Sequence, residues 1–163
     1  MKPLFVLLAA FALTALALKL SKKKWDVNKA GRIAMSCMLL FTASGHFVFV
    51  EGMSMMLPDF VPFKKELILI TGLLEIGFAV GILFNKTRRI TSLLLIAFFI
   101  CILPSNIYAA LNHLDIENAN YSGPGPEYLW MRVPLQVFFI SWVYYFGFKT
   151  APGDKDNHRL TRR

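Results

Sequence analysis

The chain has 163 residues, enough for one domain, of which 56% are hydrophobic and 17% charged, with a net charge of +8. So short a chain cannot hide that much apolar surface from water, which argues against an ordinary soluble domain. Its basic residues fall between long apolar runs instead of along one helix face, a placement that points to a membrane and away from nucleic acid.

Five apolar stretches are long enough to be considered as spans, at about 1.5 Å rise per residue and roughly 20 residues per hydrocarbon core. The first runs from Pro3 to Leu20. Ala15 and Ala17 give it the A-x-A pattern of a signal-peptide cleavage site, but its positive charge lies on the wrong side. Only Lys2 precedes the run, whereas Lys19, Lys22, Lys23, Lys24, Lys29 and Arg32 follow it, so an uncleaved span with an outside N-terminus is expected. The second stretch runs from Gly31 to Val50. After it, Glu51 to Phe63 is too apolar to float in water and too broken by Pro58 and Pro62 to span, so it is expected to lie in the interface or to fold as a lid over the outer end of the bundle. Met53, Met55 and Met56 in that lid are expected as adaptable apolar filling, not as copper ligands, and no metal site is predicted.

The third stretch runs from Leu67 to Phe84, the fourth from Ile90 to Ala110 and the last from Tyr128 to Phe148. The loop from Leu111 to Glu127 holds Asp115, Glu117 and Glu127 but no Lys or Arg, as an outer loop should. The tail from Ala151 to Arg163 is polar and expected to be disordered. In this orientation all of the 18 Lys and Arg lie on the cytoplasmic side except Lys2, Lys64, Lys65 and Arg132. Trp25, Trp130, Tyr108, Tyr128, Tyr144 and Tyr145 fall near the expected interfaces, where amphipathic rings collect. Cys37 and Cys101 stand far apart inside apolar stretches and are expected as buried small hydrophobes. The fold class expected is therefore all-α, a polytopic membrane protein with its C-terminus in the cytoplasm. Residues 1–30 form an N-terminal transmembrane helix with a basic loop, residues 31–148 a four-helix membrane domain, and residues 149–163 a basic tail.

Polar residues within the stretches carry the functional signal, because an ionisable group at bilayer depth costs at least a few kcal/mol and needs a partner. His46, Asn106 and Arg132 lie roughly 6 Å below the outer ends of their helices, and Glu75 and Gln136 roughly 12 Å, at helical rise. Thr42 shares a face with His46, Thr71 with Glu75, and Arg132 with Gln136, each pair four residues apart. Gly77 and Gly81 make a Gly-x-x-x-Gly suited to close helix contact. Cys37 lies about 180° round from His46. Pro104 leaves the carbonyl of Ile100 without its helical donor, whereas Pro134 sits early enough in its helix to cost less. A purely structural explanation stands beside the functional one: Glu75 and Arg132 as an ion pair, Asn106 and Gln136 as interhelical glue, His46 as a satisfied core histidine. A common layer under an apolar lid favours a polar cavity.

The segments Ser44-Gly-His-Phe47, Thr71-Gly-Leu-Leu-Glu75, Leu103-Pro-Ser-Asn-Ile-Tyr108 and Tyr128-Leu-Trp-Met-Arg-Val-Pro-Leu-Gln136, with the Pro58/Pro62 lid, resemble in order and spacing the DoxX-like family of small bacterial membrane proteins. The resemblance covers Gly31 to Phe148 and implies a four-helix core in a bacterial cytoplasmic membrane with the first helix as an addition. It also implies a link to membrane oxidoreductase systems and quinone chemistry, although most family members have no assigned reaction. The chain lacks the cysteine pair that dithiol–quinone exchange requires. The expectation is a membrane subunit with an outer-half pocket for a lipid-soluble, quinone-like ligand. His46 and Glu75 would handle protons, and Thr42, Thr71, Asn106, Arg132 and Gln136 would line or orient. Its expected partners are membrane lipids and another membrane protein or oxidoreductase subunit. The alternative is a non-enzymatic assembly factor for another membrane protein.

Overall fold

A computed structural model describes residues 2–22 and 26–150. The predicted interface role of Trp25, the charges of Lys23 and Lys24 and the tail from residue 151 lie outside the described residues.

The described chain is all-α. Helix α1 is Lys2–Lys22, α2 Val27–Val48, α3 Val50–Ser54, α4 Lys64–Gly81, α5 Arg88–Leu111 and α6 Leu129–Val143. A single 3-10 turn, Pro126–Tyr128, leads into α6, which continues as a π-helical segment over Tyr144–Lys149. The predicted stretches correspond to α1, α2, α4, α5 and α6 with its π extension. Helix α2 starts four residues before the expected Gly31 because the Asp26 carboxylate accepts from the Lys29 amide at 2.9 Å and caps it. It ends at Val48, where Phe49 leaves helical geometry and a bend opens the short α3. Of these helices α1, over Lys2–Ser21, and α5 are long and apolar enough to cross a membrane. Helices α2 and α4 carry Lys and Arg in their first turns or soon after, and α6 reaches comparable length only through its π segment.

Helix α2 is the hub, packing on α1 and α4 and touching α6 and the π segment. Its buried face repeats small residues at helical spacing, Ala30, Gly31, Ala34 and Ala43, with Met35, Met38 and Leu39 between. Small residues let helix axes approach, and the methionines fill the uneven gaps. Leu7, Ala79, Ile82, Leu95, Phe99, Phe139 and Val143 complete the core from the other helices. Ser36 donates to the Ala79 carbonyl at 2.8 Å, and the Trp142 indole to the Gly31 carbonyl at 3.0 Å. Phe11, Trp142 and Phe146 stack beside them, the first two edge to face at 5.1 Å between centroids.

These contacts sort the chain's turns to the two ends of the bundle. One end gathers the start of α2, the α4–α5 turn and the π segment, where an Arg88 Nη donates to the Thr150 carbonyl at 2.5 Å. The other gathers the start of α1, the α2–α4 connection and the α5–α6 loop, with Lys2 paired to Glu117 at 2.5 Å. The expected lid is present at this second end, and α3 packs on α4. Gly52 of α3 abuts the backbone of Ile116 in the α5–α6 loop, so the two connections cover that end together.

Two packing expectations are corrected. Cys37 and Cys101 are free, exposed thiols and not buried ones. In helices apolar all round, hydrophobicity does not say which face meets the core. An added Cβ at Gly77 would meet nothing within 4 Å, so the Gly-x-x-x-Gly is not a contact face as a unit; Gly81 alone is close-packed, against Thr91 of α5.

Candidate functional site

Helix α4 lies against α2 because Gly72 has no side chain: a Cβ there would stand 2.7 Å from the Cβ of His46. That approach brings three of the expected residues together. His46 Nδ1 is 3.0 Å from the Ile68 carbonyl and 3.0 Å from Thr71 Oγ1, which itself donates to Ile68 O at 2.8 Å. A carbonyl can only accept, so Nδ1 carries the proton in the neutral ring and Nε2 is left as the acceptor. Nε2 stands 3.6 Å from Glu75 Oε1. Glu75 is 4% exposed, and its other oxygen has no hydrogen-bond partner. A carboxylate buried this deeply is stable only when it shares the proton or the positive charge of its neighbour. His46 is the ionisable neighbour that the structure gives this carboxylate.

His46 and Thr71 lie on the wall of a cavity of about 420 Å³, the size of a small organic ligand. The wall is otherwise mostly apolar: Met53, Met56 and Leu57 of the lid, Leu74 of α4, and Phe98 and Ile102 of α5. Glu75 is not on the wall; it stands behind His46. Ser105, Cys101 and Ile116 also line the cavity and were not foreseen. Ser105 gives a signal in the sequence, a hydroxyl one residue before Asn106, whereas Ile116 belongs to a loop whose path only the fold reveals.

The rest of the expected layer lies elsewhere. Arg132 does not pair with Glu75: its Nη1 donates to Asn106 Oδ1 at 2.8 Å and its guanidinium lies 4.7 Å from the centroid of the Tyr128 ring. Helix α4 packs chiefly on α2, so Glu75 meets His46, while α6 brings Arg132 to α5. Arg132 and Tyr128 instead border a second hollow of about 370 Å³ with Asp115 and Glu117 of the α5–α6 loop. Hydrogen bonds from the Asn118 side chain and from the Asn118 and Glu117 amides hold the Asp115 carboxyl below the ordinary carboxylate range. Gln136 donates to the Phe99 carbonyl, one residue before the Ile100 carbonyl that Pro104 orphans. Thr42 donates to the Met38 and Leu39 carbonyls of its own helix and takes no part in either hollow. Among the described residues no group of His, Cys, Asp and Glu is arranged to hold a metal ion.

By class the chain is an all-α bundle with His46 of the hub helix on the wall of an apolar cavity and the buried Glu75 of α4 behind it. Within that class the chain belongs to the family described as a domain of unknown function, DUF8561, whose model matches residues 35–147. The match begins within α2 and ends in the π segment, so it contains both hollows and leaves α1 outside. No curated protein and no solved structure matches the chain.

Proposed function

We propose that the chain is a DoxX-like, multi-pass membrane subunit that binds a lipid-soluble, quinone-like ligand in the cavity beside His46. In this reading α1, α2, α4, α5 and α6 with its π extension cross the bilayer of a bacterial cytoplasmic membrane. The lid end faces outward and the basic end faces the cytoplasm. Large apolar side chains exposed on every long helix support it, among them Leu13 and Leu16 of α1, Leu73 of α4, Ile100 of α5 and Val137 of α6. An open groove of about 790 Å³ between α1 and α6, lined by Leu4, Leu8, Trp130 and Phe138, would likewise be filled by acyl chains.

The observation that carries the ligand proposal is the His46–Glu75 pair on one side of an otherwise apolar cavity. His46 is the group that touches the ligand, and Thr71 and the Ile68 carbonyl hold its ring in place. Glu75 acts through His46 as a proton store. Quinone binding to the full chain in nanodiscs tests this. We expect a soluble quinone analogue to bind the wild type, His46→Gln to weaken it by several-fold to about tenfold through the lost contact with the imidazole ring, and Glu75→Gln to retain binding. Wild-type protein that binds no quinone, or His46→Gln protein that binds as tightly, rejects the proposal.

A non-enzymatic assembly factor is the second reading, and a specific observation favours it: Thr42, Asn106, Arg132 and Gln136 all have partners within the bundle. Under that reading, substitutions at His46 that preserve folding leave function intact, and a partner membrane protein co-purifies in mild detergent.

A further inference from the structure

The basic end of the bundle contains a buried cation with no counter-charge on it among the described residues. Arg88, the first residue of α5, is 3% exposed. One Nη donates to the Thr150 carbonyl at 2.5 Å and the other reaches Asn85 Oδ1 at 3.4 Å, both neutral groups, while Nε has no partner. One turn along α5, the Ser92 hydroxyl is fully buried and also without a partner, pressed against Gly147 of the π segment. Another cation, Arg32 of α2, which is half-buried, acts on Arg88 through its charge. Asp26 is the acid whose charge reaches Arg32, and its carboxylate already caps α2 on the Lys29 amide. The contrast with the other end is plain: buried Glu75 has His46, and buried Arg88 has no carboxylate among the described residues.

Removing a guanidinium from water costs several kcal/mol unless an opposite charge replaces the solvent, so this arrangement is incomplete. Two guanidinium groups at the start of a 24-residue helix favour an oxyanion. We propose that Arg32 and Arg88 bind a phosphate group, supplied by a phospholipid headgroup or by free phosphate. Planar guanidinium groups match phosphate oxygens two at a time, which ammonium groups cannot do. Basic pockets between helix ends at a cytoplasmic face suit lipid headgroups, and the exposed Leu93 and Leu94 of α5 lie beside the site for the acyl chains. Lipid as the source rests on the membrane reading proposed above; phosphate as the group does not.

Thermal unfolding of delipidated full-length protein in detergent tests the proposal, followed by Trp fluorescence. The probes are short-chain phosphatidylglycerol, the diacylglycerol of the same chains, and inorganic phosphate. Phosphatidylglycerol is expected to raise the Tm and diacylglycerol to leave it unchanged. A larger shift from the lipid than from inorganic phosphate assigns the site to a headgroup, and an equal shift assigns it to free phosphate. Arg88→Gln can fail to fold, so Arg32→Gln is the deciding variant, with apparent affinity expected to fall about tenfold or more, as for a lost charge-assisted hydrogen bond. Arg89→Gln, whose parent guanidinium lies over Phe148, is expected to behave as wild type. Absence of a shift from either phosphate source, an equal shift from diacylglycerol, or an unchanged affinity in Arg32→Gln overturns it.

Discussion

Gly72 and Gly77 stand on one helix five residues apart, and their surroundings are opposite. A methyl at Gly72 meets the Cβ of His46, an atom fixed to the backbone that cannot swing away, while a methyl at Gly77 meets open space. Gly72→Ala is therefore expected to push α4 off α2 and destabilise by about 1–3 kcal/mol, as overpacking does. Gly77→Ala is expected to stabilise by about 0.5–1 kcal/mol through helix propensity. Denaturation of both variants in the same detergent checks the pair, and equal effects would refute the α2–α4 contact. This contact also marks how far single residues can be read from sequence. His46, Thr71 and Glu75 are legible because polar atoms in an apolar run demand partners. Gly72 is not, since a glycine's importance depends on what faces it, and the Gly-x-x-x-Gly pattern draws attention to Gly77 instead. Arg132 and Glu75 pair in the sequence reading as opposite charges in the same half of the bundle, but depth carries no information on which helices are neighbours.

Among the elements, the long helices were legible from apolar runs of the right length, and their ends were not. Asp26, Phe49 and the wider π turn at Tyr144–Lys149 are set by capping, a bend and packing against Ser92, none of which leaves a hydropathy signature. The α5–α6 connection is the element most dependent on one side chain. Asp115 accepts from the amides of Glu117 and Asn118 and from the Asn118 side chain, and its backbone bridges to Asn120. Its carboxyl titrates below the ordinary value in the folded loop because the ionised form accepts these bonds. The unfolded loop thus binds a proton more readily than the folded one. The loop's stabilisation is complete above the ordinary carboxylate value and is lost as pH falls through the depressed one. Hydrogen exchange of the 115–120 amides, corrected for intrinsic rates, should show protection falling across that acidic window. Asp115→Ala should show low protection at every pH. Wild-type protection that stays constant through the window would mean that Asp115 does not hold the loop.

At the scale of the whole molecule the question is which solvent surrounds the helices. The buried core is centred on α2, and the outer faces of α1, α4, α5 and α6 present Phe, Leu, Ile and Val, as the membrane reading proposed above requires. The two cysteines turn this into a measurement, because both thiols are exposed and neither is in a disulfide. Maleimide reacts with thiolate, and a thiol surrounded by acyl chains neither ionises nor meets a water-soluble reagent. In sealed vesicles a membrane-impermeant maleimide should therefore leave Cys37 and Cys101 unmodified, and unfolding in detergent should make both react fully. Cys101 adds a second readout, since it lines the cavity beside His46 and Cys37 does not. A small lipophilic maleimide should modify Cys101 more slowly when the cavity holds a ligand, with Cys37 serving as the internal reference. Rapid modification of Cys37 by the impermeant reagent in intact vesicles would place the middle of α2 in water, and the proposed spans would fall with it.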